Sequence, residues 1–145
     1  MNTRSAEQTY VIEERFDKAV RLIRNALRAQ ELSVPGEFDV TDTIAPHPGK
    51  KPGPSKVLLV DSPLLLFEAL ALDRAAGVFF PLHILISADG DQTQVVCVEP
   101  TSLFEVRLPA GSSQPLAVLR SRVAMALESV VSRSDPHHGR PAAHK

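Results

Sequence analysis

Apolar and polar positions along the chain switch between two rhythms, one near 3.6 residues and one of two, and the switches mark the elements. Phe16, Ala19, Val20, Ile23, Ala26 and Leu27 recur at three- and four-residue spacing, while Arg21, Arg24, Asn25 and Arg28 fall on the other side. That stripe predicts an amphipathic helix over about 15–30. Glu13 and Glu14 near its start and Arg28 near its end suit the helix macrodipole. A second stripe, Leu116, Leu119, Val123, Ala126, Leu127 and Val130, predicts a helix over 115–132.

Between these helices the rhythm shortens. A strand is expected at 9–13, with Tyr10 and Ile12 on one face, and another at 32–40, bent at Pro35-Gly36. "KVLLV", 56–60, reads as a third strand. "DSP" ends it, with Ser62 placed to cap a helix and Pro63 at the first helical position. That helix runs to Asp73 or Ala76. Leu64, Leu65, Leu66, Phe67, Leu70 and Leu72 leave it little polar face, which predicts burial on more than one side and a subunit contact.

Gly77 is expected to close this helix and 78–87 to form a long strand. Val78, Phe80, Leu82, Ile84 and Ile86 then share one apolar face. Phe79, Pro81, His83, Leu85 and Ser87 share the other, too apolar to be freely solvated, so a subunit or the nearby proline-rich loop is expected to cover part of it. Asp89-Gly90 signals a hairpin, with the returning strand at 93–99 and a further short strand at 103–108. The loop 41–55 holds four prolines and two glycines within "DTIAPHPGKKPGPS" and admits neither helix nor strand. The domain reading is a flexible 1–8, one domain over 9–132 and a disordered tail over 133–145.

Composition narrows the function classes. The chain has 145 residues, 43% of them hydrophobic, which suits one globular core. A formal net charge of −1 supplies no field toward nucleic acid or an anionic membrane. Trp is absent and Tyr10 is the only tyrosine, a poor basis for stacking bases. No apolar run approaches the ~20 residues of a membrane span, and none has the form of a signal peptide. Cys97 is the only cysteine, so no intrachain disulfide forms. Together these favour a cytoplasmic protein of bacterial type.

Candidate chemistry is sparse. His83 has no metal-ligand or catalytic partner near it in sequence and reads as a structural or interface histidine. Cys97, between valines, reads as a small core hydrophobe. Asp61, Glu68 and Asp73 read as a cap residue and solvated charges. "HPGKKPGPSK" fails the GxxxxGK[ST] phosphate-loop pattern and reads as a solvated basic loop. His137, His138 and His144 suggest adventitious metal binding in a tail.

The order strand, helix, strand, strand, "DSP" helix, proline-bearing strand, Asp-Gly turn, strand is similar to the bacterial family called domain of unknown function 302. The matching pieces are "RFDKAVRLIRNALRAQELSVPGEFDV" and "VLLVDSPLLLFEALALDRAAGVFFPLHILISADGDQTQVVCVEP", within roughly 10–104. Ser62-Pro63 stands where the family usually has Asn-Pro; Pro81, Asp89 and Gly90 fit its pattern. The position of His83 is often basic or polar in such sequences, which argues against a dedicated histidine ligand. The resemblance implies a two-layer α+β domain with a tendency to dimerise, and no established activity.

The expected fold is therefore α+β, with one mainly antiparallel sheet of four to five strands on two to three helices. The leading functional reading is a non-enzymatic homodimeric binding or interaction module, with no cofactor, metal, nucleic acid or membrane partner. The alternative is a small-molecule or metal-ion sensor with a cleft where Ser62-Pro63 meets His83 and the loop; an enzyme of unknown reaction stands third. Ser62, Pro63, Pro81 and His83 are the candidate ligand or interface residues.

Overall fold

The structure is a computed structural model that describes residues 7–41, 53–98 and 113–134. Its strands are β1 (Glu7–Ile12), β2 (Ser33–Asp39), β3 (Ser55–Asp61), β4 (Leu82–Asp89) and β5 (Gln92–Val98). Its helices are α1 (Phe16–Ala29), α2 (Pro63–Leu72) and α3 (Ser113–Ser134), with a 3₁₀ segment at Arg74–Phe79. The strands form one sheet in the order β1-β5-β4-β3-β2, every neighbouring pair antiparallel. The chain is thus α+β, as its patterning predicts.

The dry side of the sheet follows from the period of two. Leu82, Ile84 and Ile86 of β4 are fully buried, as are Leu58 and Val60 of β3, Val95 of β5 and Ile12 of β1. Onto them α1 lowers Ala19, Val20, Ile23, Ala26 and Leu27, and α3 lowers Leu119, Val123, Leu127 and their neighbours on the same stripe. Burying a side chain of this size stabilises the fold by about 1.5–3 kcal/mol. α3 packs against α1, α2 and β1, so the three helices form one layer on one side of the sheet.

Local chemistry fixes the turns. Asp89 pairs with Gln92, leaving Gly90 and Asp91 as a two-residue hairpin loop. Gly90 takes φ +60, the positive first position that suits the twist of such hairpins. The start of β5 is tied back to the β1–α1 connection: buried Thr93 donates its hydroxyl to the Glu14 carbonyl at 2.7 Å, and Gln92 donates to Glu13 at 2.8 Å. α1 ends in a Schellman arrangement, with Leu32 N–H on Leu27 O and Glu31 N–H on Arg28 O, both at 3.0 Å. Glu31 occupies the left-handed position of this cap, at φ 58.

Three expectations change between α2 and β4. First, 78–87 is not one strand. After α2 the chain makes the 3₁₀ segment, capped by the Asp73 side chain on Ala75 N–H at 3.0 Å, and β4 begins only at Leu82, after a cis Phe80-Pro81 bond. Gly77 sits within this segment because it lies against α2, where a Cβ would meet Leu70 Cδ2 at 2.7 Å. Second, the strand alternation therefore fails before Pro81: Val78 is 79% exposed, and Phe79 is buried instead of facing outward. Third, α2 is not buried on several sides; it buries Leu65 and Ala69 and exposes Leu64, Phe67, Leu70 and Leu72. The loop expected at 41–55 is shorter than its composition suggests, since Thr41 is helical and Ser55 already opens β3; its segment 42–52, the strand expected at 103–108 and the tail beyond 134 lie outside the described residues.

A non-glycine left-handed residue costs roughly 1–2 kcal/mol. Glu31→Gly should therefore raise unfolding stability by about 1 kcal/mol, once the added freedom of the unfolded chain is subtracted. Urea denaturation followed by circular dichroism checks this; an unchanged or lower midpoint counts against a strained cap.

Candidate functional site

The same alternation that buries Ile84 beneath the helices turns His83 and Leu85 to the opposite face, away from α1 and α3. The pairing register makes this face an ordered lattice. Phe38, Val57, Leu85, Val96 and Thr9 stand opposite one another in a single row across all five strands. Leu85 is 37% exposed and Phe38 59%. Toward the hairpin the next row is Ser55, Ser87, Gln94 and Val11, in which Ser55 and Ser87 share a hydroxyl hydrogen bond at 3.2 Å. On the other side of the apolar row lie Gly36, Leu59 and His83. Leu59 leans over Gly36, where a Cβ would come within 3.2 Å of its Cδ1.

Charge is kept to the rim. Among the described strands, the acidic positions of this face are Glu7, Asp61 and Asp89, at strand ends, and the face has no lysine or arginine. A solvated antiparallel face ordinarily alternates polar residues outward. Here Arg24 and Lys56 both pair with Glu37 on the helix side instead.

The four candidate residues separate. Ser62 is buried, and its hydroxyl accepts from Leu65 N–H at 3.4 Å, so it caps α2. Pro63 opens α2 and is exposed. Pro81 is half-buried at the entry to β4, and His83 is exposed on the open face, two residues along. They border one corner, where β3 ends and β4 begins. Asp61 lies in this corner, buried, with Oδ1 accepting from Ser62 N–H at 2.7 Å. Burial pushes its carboxyl above the ordinary value, and the Ser62 hydrogen bond partly counters this.

His83 and Cys97 do not meet. Ile84 pairs with Cys97, which puts the thiol on the helix side of the sheet and the imidazole on the other. The thiol is raised by burial and lowered by the charge of Arg120. Beside it, Tyr10 donates to Gln8 at 3.0 Å, and burial, then Glu128 and Cys97, raise its phenol. This Tyr10–Cys97–Arg120–Glu128 neighbourhood beneath α3 escapes a reading by sequence distance; only the β1–β5 register and the docking of α3 assemble it. A groove of about 470 Å³ separates α2 from α3, lined by Phe67, Glu68, Ala71, Leu72, Pro115 and Val118 among others. Among the described residues no group of three or more His, Cys, Asp or Glu side chains is placed to hold a metal ion, and no helix is long and apolar enough to cross a membrane.

Residues 8–131 match the family described as "Domain of unknown function DUF302". The fold is similar to the crystal structure of uncharacterized conserved protein DUF302 from Bacillus stearothermophilus, with a TM-score of 0.75, 18% identity, 86% of this chain covered and 97% of that one. No curated protein gives a significant match.

Asp61 sets a pH prediction. Its folded-state pKa lies above its unfolded value, so its protonated form favours folding. That contribution is complete below the unfolded value and is lost as pH rises through the folded one. Asp61→Asn should then raise the urea midpoint at neutral pH, with the advantage shrinking below about pH 4. A variant less stable at pH 7 than the wild type would show that the Ser62 contact outweighs the cost of burial.

Proposed function

We propose that this chain, which belongs to the DUF302 family, is a non-enzymatic homodimeric interaction module whose two copies meet through the open sheet face. The observation that carries this reading is a face whose charged positions stand only at strand ends and whose row Phe38–Val57–Leu85–Val96 is unbroken. Two sheets packed face to face bury such rows against each other at about 10 Å separation, giving a helix–sheet–sheet–helix sandwich.

Area favours the sheet over the other apolar surface, α2. Five strands of six to eight residues span roughly 20 Å by 25 Å, or about 500 Å² in projection before side-chain relief is added. A stable interface takes about 800 Å² per partner. α2, ten residues long, presents only about 15 Å by 10 Å. The separation of His83 from Cys97 by the sheet supports a non-enzymatic role, since neither supplies the other with a base or nucleophile. A lone thiol suits a reducing compartment, and the cytoplasm is the location that goes with this reading.

Light scattering coupled to size exclusion should give twice the 15.8 kDa chain mass at micromolar concentration. Leu85→Glu places a charge in the centre of the interface and should weaken the dimer by roughly 100-fold or more, while Phe67→Glu on α2 leaves it intact. A clean wild-type monomer overturns the reading. A dimer lost with Phe67→Glu and kept with Leu85→Glu moves the interface to α2.

A further inference from the structure

The groove between α2 and α3 has no part in the sheet-face dimer. Its volume, about 470 Å³, falls within the roughly 300–1,000 Å³ of small-molecule sites. On α2, Phe67 and Ala71 lie four residues apart, as do Glu68 and Leu72, so the four side chains share one face of the helix. On α3, Gln114 and Val118 keep the same spacing, with Pro115 beside them. Phe67 is 70% exposed and Leu72 57%, while across the groove Pro115 is buried and Val118 half-buried. Between the two large α2 side chains, Ala71 carries only a methyl group, which keeps the groove open. Among the described residues that line it, Glu68 is the only charged one.

We propose that this groove binds an amphiphilic cation, an apolar body of small-molecule size that carries a single ammonium group. The apolar body covers Phe67, Ala71, Leu72 and Val118 and removes their surface from water. The ammonium group donates to the Glu68 carboxylate, a charge-assisted hydrogen bond that an uncharged head group matches only weakly. Gln114 offers its amide oxygen as a further acceptor. An anionic head group meets repulsion from Glu68, and Pro115, in the first turn of α3, has no N–H to offer it. The site is independent of the sheet-face dimer, and neither needs the other. It also suits the size of α2, whose exposed apolar side chains are too few for a stable protein interface but enough to cover one alkyl chain.

The test is a titration of the full chain, followed by amide chemical shifts, with three probes of one chain length: decylammonium, decanol and decanoate, each below micelle formation at neutral pH. Decylammonium should bind roughly 10-fold more tightly than decanol, and decanoate more weakly than either. The shifts should gather on residues 67–72 and 114–118. Glu68→Gln should remove the preference for the ammonium probe and keep the binding of decanol; Glu68→Lys should turn the preference toward decanoate. Ala71→Trp should fill the groove and abolish binding of all three, with circular dichroism and light scattering showing the fold and assembly of the wild type. Decanoate bound as tightly as decylammonium, a Glu68→Gln protein with the full preference, or shifts gathered around Leu85 on the sheet face overturns the proposal. So does silence from all three probes, the result expected of a groove filled by another part of the chain. An Ala71→Trp protein that loses its oligomer overturns it as well and makes the groove a contact between copies.

Discussion

Helices α1 and α3 both pack on one side of this sheet, and that asymmetry governs the rest of the described structure. β4 sits at the centre, paired with β3 and β5, and its residues alternate strictly between the two environments. Ile84 and Ile86 lose all contact with water, while His83 and Leu85, their direct neighbours, keep it. A slip of one residue in either pairing would exchange these sets and place an imidazole beneath α1. The hairpin at Gly90 and the Thr93 hydroxyl on the Glu14 carbonyl hold the β5 register; the Ala88 N–H on the Pro54 carbonyl, at 2.9 Å, holds β3 against β4.

Most of this architecture is legible in the residues because it rests on periodicity. The stripes of α1 and α3 emerge buried as their spacing implies, and Ser62-Pro63 opens α2 as a cap and first-turn pair. The reading fails where an apolar run carries no period. From Leu64 to Phe80 every residue but Glu68, Asp73, Arg74 and Gly77 is hydrophobic, so composition cannot tell a buried side from an exposed one. Pro81 is visible in the sequence as an interruption, yet nothing local indicates that the chain before it coils into a 3₁₀ segment against Leu70. The candidate site was legible in part. His83 follows from alternation, but Phe38 and Val96 join its face only through pairings of long sequence separation, as do Arg120 and Glu128 beneath α3.

The edges of the sheet bear on how copies of this chain meet. A bare edge offers unpaired backbone groups and invites strand addition. In the described sheet, β2 is one edge, and it carries Pro35, which has no N–H to donate, together with a register shift between Ser33 and Gly36. Such irregularity blunts pairing with a further strand. β1, the other edge, is only six residues long. The open face is different in kind: one row of outward side chains runs across all five described strands. Its backbone groups are already paired within the sheet, so what it offers is side-chain area.

That distinction decides what sort of contact the face can make. Backbone pairing at an edge draws on N–H and C=O groups, whereas face packing covers side chains and is sensitive to every charge among them. The rows flanking Val57 and Leu85 are made of Ser55, Ser87 and Gln94 on one side and Leu59, Gly36 and His83 on the other. Hydroxyls and amides can satisfy one another across a joint, as Ser55 and Ser87 already do within one protomer. The imidazole of His83 offers two ring nitrogens for the same purpose.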